Sequence, residues 1–382
     1  MIKIPGTIPI SIYPLFWLLA AAIAWMNTLN IFEASIWVAI IFTSVLVHEY
    51  GHALTALFFG QKAKIDLVAM GGVTQRTGRK LKLWQDFIIV LNGPLAGLSL
   101  GILAFIFKRS FIASDSSSAL AYALMVTFYV NIFWTILNLV PVQPLDGGKL
   151  LGIILESLFG VRGIKIGLFI SMLLSIILGL FFFSIHAVVA GVIFMMLAFE
   201  SYRSWKQSLL VTEQDQNLIL QHLLKEAEHD LKRGHKEEAL NKLQRIRDLT
   251  KSGVIYINAT EHAAALLAER GAFQEAYEML MPLSAKLEND SLRLLQQLAY
   301  RQGQWQQAVK LGTRSYQSLP NYDTALINAF CLAILGEVRP AIGWLQCAVK
   351  EGLPNLREIL HQREFDNIRH DPLFQKLERT GG

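Results

Sequence analysis

The sequence predicts an all-α membrane protein in two parts. The first is a polytopic helical bundle of about six transmembrane helices with a short β-like membrane-associated loop; the second is a soluble α-solenoid. Three observations predict this. Long apolar runs are confined to residues 1–205, and they raise the apolar content to 53% and the mean hydropathy to +0.39, high for a wholly soluble chain. Charge divides at the same place: residues 1–210 hold eight acidic and 14 basic side chains, whereas the remainder balances to −1. A pattern of small residues then recurs about every 34 residues, and only in the second part.

The formal net charge of +5 is therefore a set of basic membrane loops beside a near-neutral half, not a surface for nucleic acid. Cys331 and Cys347 both fall in the second part, need not pair and imply no disulfide framework. The expected boundaries are a membrane domain at 1–205, a linker at 206–220 and a helical-repeat domain at 221–382.

A spanning helix needs about 20 predominantly apolar residues. Candidates lie at 8–26, 34–59, 86–107, 119–140, 164–183 and 185–201. The last is short and only Ser184 to His186 separate it from the fifth, so five helices is the alternative count. The first run, with Lys3 before it and "AAAIA" within it, has features of a signal peptide, but its length favours a retained span. Six spans collect 12 basic residues on one side, in the N-terminus, the loops 60–85 and 141–163 with its flank, and the exit at Arg203 and Lys206. Only Lys108 and Arg109 lie on the other, which predicts that both termini are cytoplasmic.

The second run contains His48-Glu49-Tyr50-Gly51-His52. Residues four apart share a helix face, so the two imidazoles can meet one ion while Glu49 reaches a water beside it. Zinc acidifies such a water and a carboxylate accepts its proton. The bland reading is three polar groups satisfied by hydrogen bonds, but ionisable groups within a membrane span default to function. A catalytic zinc also needs a third protein ligand. Topology sets aside Glu33, Asp115 and His186, which belong to the opposite face. Asp66 and Asp86 accompany a basic loop where ion pairing explains them, and nothing local directs Glu156 or Glu200 inward. Asp146 differs, because "NLVPVQPLDGGKL" (138–150) surrounds it with helix-breaking prolines and two permissive glycines. Irregular backbone at membrane depth must be buried in protein or line a water cavity, and this one can hold a carboxylate at the ion. A turn that merely exits the membrane is the alternative.

"HEYGH" on one span and "NLVPVQPLDGG" two spans later resemble the site-2 protease family of intramembrane zinc metalloproteases, over roughly residues 1–205. The nearest branch in layout is the bacterial sporulation type that processes a membrane-associated pro-sigma factor. The resemblance implies one zinc per chain, bound by His48, His52 and Asp146, with Glu49 as general base. It also implies a bacterial inner membrane, the lipid bilayer as surroundings and a membrane protein as substrate. "MGGVTQRTG" (70–78) is similar to the family's strand-like loop near the active site, where Gly71 and Gly72 would admit an extended substrate. "NGPLAG" (92–97) recurs in the family's third span. Asn92 and Asn138 either cap broken helices or hold the substrate backbone.

In the second part, Gly234, Gly271, Gly303 and Gly336 each precede an alanine by five residues: Ala239, Ala276, Ala308 and Ala341. Ala227, Ala264 and Ala329 lie seven before their glycines, a column that Gln296 breaks. This is similar to a degenerate tetratricopeptide array, a stack of helix–turn–helix repeats whose groove binds a peptide or partner. A passive, stabilising appendage is the alternative. The nearest family branch often carries a nucleotide-sensing domain here instead, so ATP-dependent regulation is not transferred. A non-catalytic scaffold that recruits partners through the array is the alternative to an enzyme.

Overall fold

The computed structural model describes residues 1–69, 71–111 and 119–380, which leaves Asp115 outside the described residues. It divides into two compact units, Met1–Leu209 and Leu210–Gly382.

The first unit opens with two short strands, β1 (Ile2–Ile4) and β2 (Ile10–Ile12), that pair antiparallel. A hairpin, β3 (Lys62–Val68) and β4 (Gly71–Thr77), joins them in a four-stranded sheet of order β1-β2-β3-β4. β2 runs parallel to β3, with Ile10 opposite Ile65 and Ile12 opposite Leu67. All four of these side chains are buried.

This pairing corrects the expected first span. The run 8–26 splits into β2 and a helix, α1 (Pro14–Thr28), of 15 residues. At 1.5 Å per residue α1 is about 22 Å long, short of the roughly 30 Å hydrocarbon core. The Tyr13 amide donates to the Leu67 carbonyl at 3.0 Å and Pro14 starts the helix, so α1 begins directly at the sheet. Five helices among the described residues are long and apolar enough to cross a membrane. They are α2 (Ile31–Phe58), α3 (Leu83–Phe111), α4 (Ala119–Leu139), α6 (Val161–Ser184) and α7 (Val188–Ser208). The close pair that sequence left ambiguous remains two helices.

The Asn30 side chain starts α2 by accepting from the amides of Phe32 and Glu33. α4 stops at Leu139, before Pro141 and the cis Gln143–Pro144 bond. The chain then turns back into α5 (Asp146–Phe159), a helix inside what the sequence reading treated as loop 141–163. The turn is pinned from outside: the Gln143 amide donates to Ser171 Oγ of α6 at 2.7 Å, and Ser171 shares a 2.9 Å bond with Ser201 of α7.

The second unit is built of helix pairs: α8 (Leu218–Arg233) with α9 (Lys236–Leu249), α10 (Val254–Glu269) with α11 (Phe273–Leu280), α12 (Asn289–Arg301) with α13 (Trp305–Ser318), and α14 (Tyr322–Ile334) with α15 (Val338–Lys350). The recurrent glycines end the first helix of each pair with φ of 83°, 85°, 68° and 79°, the left-handed region that glycine enters without strain. The four recurrent alanines are fully buried where the paired helices meet. Gln296, which breaks the small-residue column, is accommodated because Gly312 stands opposite it. Its Nε2 donates to the Thr324 carbonyl and to Asn328 Oδ1, each at 3.0 Å. Two short helices close the chain, α16 (Leu356–Leu360) and α17 (Pro372–Thr380), around the buried Phe365 and Phe374.

Candidate metal centre and active site

Nearly five turns into α2, His48 and, one turn on, His52 project from one face, and the first residue of α5 meets them there. Asp146 Oδ2 lies 3.1 Å from Nε2 of each histidine, and the two Nε2 atoms are 3.2 Å apart. A tetrahedral ion with bonds of about 2.0–2.1 Å holds its ligand atoms roughly 3.3 Å apart, so these three atoms already outline one face of such a site. All three residues are buried. The donor set, two imidazoles and a carboxylate, fits a catalytic zinc.

His52 and Asp146 are each oriented by a second contact. His52 Nδ1 donates to the Ile89 carbonyl at 2.8 Å, which leaves the Nε2 lone pair for a metal. Ile89 lies on α3, five residues before Pro94. Gly93 completes the arrangement, since a Cβ there would lie 2.1 Å from His52 Nε2. Asp146 is held through its other oxygen: Lys149 Nζ is 3.0 Å from Oδ1, leaving Oδ2 to the histidines. Cβ atoms at Gly147 and Gly148 would strike backbone of the preceding turn, at 2.2 Å from the Leu139 carbonyl and 2.5 Å from the Gln143 nitrogen. The two glycines thus let the turn fold onto the start of α5 and deliver Asp146.

Glu49 is buried beside His48, and its Oε2 accepts from Thr74 Oγ1 of β4 at 2.6 Å. Gly72, two residues earlier on the same face of β4, packs against the Glu49 side chain. Gly71 lies near the Trp134 ring. Asn92 stands inside α3, not at a helix end, and donates to Thr55 Oγ1 of α2 at 2.8 Å. Asn138 is half-buried in the last turn of α4.

The carboxylates set aside from sequence are otherwise engaged. Asp66 pairs with Lys64 and Asp86 with Arg76, each at 2.8 Å, and Glu200 lies 3.6 Å from Arg203. Glu33 sits in the first turn of α2, about 22 Å along the helix from His48. His186 lies between α6 and α7, and Glu156 lies ten residues beyond Asp146 along α5. Sequence reasoning missed Lys149, Thr74 and the Ile89 carbonyl. It also missed Asn131 of α4, which is buried and donates to Ser44 Oγ, one turn before His48, at 2.9 Å. Lys149 alone had a local signal, three residues after Asp146 in a helix.

Residues 36–123 and 108–182 match the model of peptidase family M50. A zinc metalloprotease of Methanocaldococcus jannaschii is 32% identical over 185 residues, 47% of this chain and 52% of the relative. Stage IV sporulation protein FB of Bacillus subtilis is 33% identical over 170 residues, 42% of this chain and 56% of the relative. The chain therefore spans about half the length of the curated relatives it matches. The solved structure of a site-2 protease from Methanocaldococcus jannaschii is similar at 25% identity and a TM-score of 0.41, covering 53% of this chain and 94% of that one. The M50 family implies zinc, and the His48, His52 and Asp146 group could hold it. The stretch that is similar to the M50 family contains both the histidine pair and the aspartate turn.

Proposed function

We propose that the membrane-spanning unit is an intramembrane zinc endopeptidase. It cuts a membrane-embedded or membrane-associated protein within or near a transmembrane segment and releases a cytosolic fragment. The observation that carries this reading is the convergence of His48 Nε2, His52 Nε2 and Asp146 Oδ2 to within 3.2 Å of one another beside a buried glutamate. Zinc held there supplies Lewis acidity that acidifies water and polarises a peptide carbonyl. Glu49 is the general base: it takes the proton of the attacking water and later passes it to the leaving amine. His48, His52 and Asp146 would hold the ion, and Lys149 engages the other oxygen of Asp146.

A transmembrane helix has its carbonyls hydrogen-bonded internally, so the substrate must unwind before attack. β4 is the last strand in the sheet, and an extended peptide can add to its open edge, with Gly71 and Gly72 allowing close approach. Asn138 contributes by holding the substrate backbone; Asn92 contributes by fixing α3 against α2. The loops 60–85 and 141–163 with its flank and the exit from α7 are cytoplasmic, on the strength of their eleven basic residues against Lys108 and Arg109 on the opposite side. The second unit is a tetratricopeptide-type array that holds a cytosolic segment of the substrate or a partner protein, a reading supported by its four glycine-hinged helix pairs.

The test is Glu49→Gln in the full chain, reconstituted in proteoliposomes with membrane-protein candidates. Cleavage should stop while zinc stays bound, because the amide accepts no proton yet leaves the ligands in place. Cleavage at the wild-type rate would remove Glu49 as the base. A scaffold would instead bind partners equally well in both forms and cut nothing.

A further inference from the structure

We propose that β4 sets the general base: Thr74 is a positioning residue that fixes the Glu49 carboxylate, with the Gly72 backbone as the wall behind it. The inference rests on Glu49 being the base and names what aims it.

Thr74 Oγ1 has one proton and two oxygens of Glu49 within reach, Oε2 at 2.6 Å and the backbone carbonyl at 3.2 Å. The shorter contact has the length of a charge-assisted O–H···O⁻ bond, so the hydroxyl donates to the carboxylate. That bond occupies Oε2 and leaves Oε1 as the oxygen able to take a proton. Gly72 stands on the same face of the strand, two residues away. An added Cβ would lie 2.3 Å from Cγ, 2.6 Å from Cδ and 2.7 Å from Oε1 of Glu49, so the carboxylate is seated directly on the strand backbone. Register enforces both contacts together. Antiparallel pairing puts Gly72 opposite Leu67 and Thr74 opposite Ile65, and both partners are fully buried. A slip by one residue would turn Thr74 and Gly72 away from α2 and expose the apolar face of the hairpin. The base is therefore aimed by a strand, whereas the metal ligands come only from helices. The same strand has the open edge proposed to receive substrate, so seating a peptide there and holding the base ready involve one element.

The experiment compares Thr74→Val, Thr74→Ser and Gly72→Ala in full-length protein in proteoliposomes. The substrate is a fluorescent membrane-tethered reporter with a Gly-Pro-interrupted apolar span that the unmodified protein cuts. Zinc content is measured in parallel. Valine keeps the shape and removes the hydroxyl, so kcat should fall about 10- to 100-fold, with KM within about twofold and zinc unchanged. Serine should restore kcat to within about threefold of the unmodified protein. Gly72→Ala should also lose kcat with zinc retained. Wild-type kcat in the valine variant would overturn the proposal. A rise in KM with kcat intact would overturn it too, by assigning Thr74 to substrate binding. Serine as impaired as valine would reduce Thr74 to methyl packing and equally refute it. A cleaving Glu49→Gln form would instead sink the assignment of the base, and so separates that failure from this one.

Discussion

Replacing Gly93 by alanine tests the metal centre without altering any ligand. The added Cβ would lie 2.1 Å from His52 Nε2, whereas real Cβ contacts essentially never fall below 3.0 Å, so the imidazole must retreat by about 0.9 Å. Metal–ligand distances tolerate about 0.2 Å, so this displacement removes His52 from the coordination sphere. The helix carrying Gly93 has little freedom to yield instead. Asn92 is bonded to Thr55 at 2.8 Å, and Gly51 packs so closely that a Cβ there would meet the Asn92 carbonyl at 2.3 Å. Changes that merely disturb ligand orientation weaken metal binding about 10- to 100-fold, and loss of a ligand belongs at or beyond the upper end. With free zinc buffered at about ten times the wild-type dissociation constant, a 100-fold loss lowers occupancy from about 0.9 to about 0.1. The assay is zinc per chain by elemental analysis after equilibration with a metal buffer in detergent. Gly97→Ala is the control, because one turn further on an added Cβ meets nothing closer than 3.5 Å and should leave zinc in place. Undiminished occupancy in Gly93→Ala would refute the claim that His52 Nε2 is a ligand in the observed geometry.

Asp146→Ala should lose zinc as well as activity, while Asp66→Ala and Glu156→Ala keep it; stoichiometric zinc without Asp146 would move the third ligand elsewhere. Lys149→Met leaves Asp146 Oδ1 without its 3.0 Å partner and should weaken zinc binding about tenfold, with Lys149→Arg recovering most of it, measured in the same metal buffer. In a background without Cys331 and Cys347, a cysteine at position 78 should react with an impermeant reagent only from the cytoplasmic side and one at 186 only from outside; reversed labelling would overturn the orientation. Burial pushes the Cys331 thiol up to about 12, so at pH 8 the native chain should show only the half-buried Cys347 as a reactive thiol, and both after denaturation. The sign follows: a thiol held neutral by the fold contributes undiminished stability below the unfolded value of about 8.5, and that contribution declines as pH rises above it.

Local chemistry made much of this protein readable without coordinates. The i, i+4 histidines need only a helix to share a face, and the apolar runs need only length to be read as spans. Asp146 was legible because two prolines and two glycines within eight residues can only interrupt a helix. The recurrent glycines were legible because a left-handed turn closes each helix pair. The strands β1 and β2 were not legible: three residues carry too little period, and β2 owes its existence to pairing with a segment more than fifty residues away. That pairing turned an apparent first span into a strand and a short helix. The contacts of Gly93, Thr74 and the Ile89 carbonyl were hidden for the same reason. Each acts on a residue of another element, Gly93 by having no side chain, Thr74 by a hydroxyl common in any strand, and Ile89 by a main-chain atom that every residue has. Residue type and spacing therefore determined which groups could do the chemistry. Only the packing of α3, α5 and β4 around α2 decided which atoms hold them, because a hydrogen bond or a steric wall between distant segments depends on where the fold brings them together.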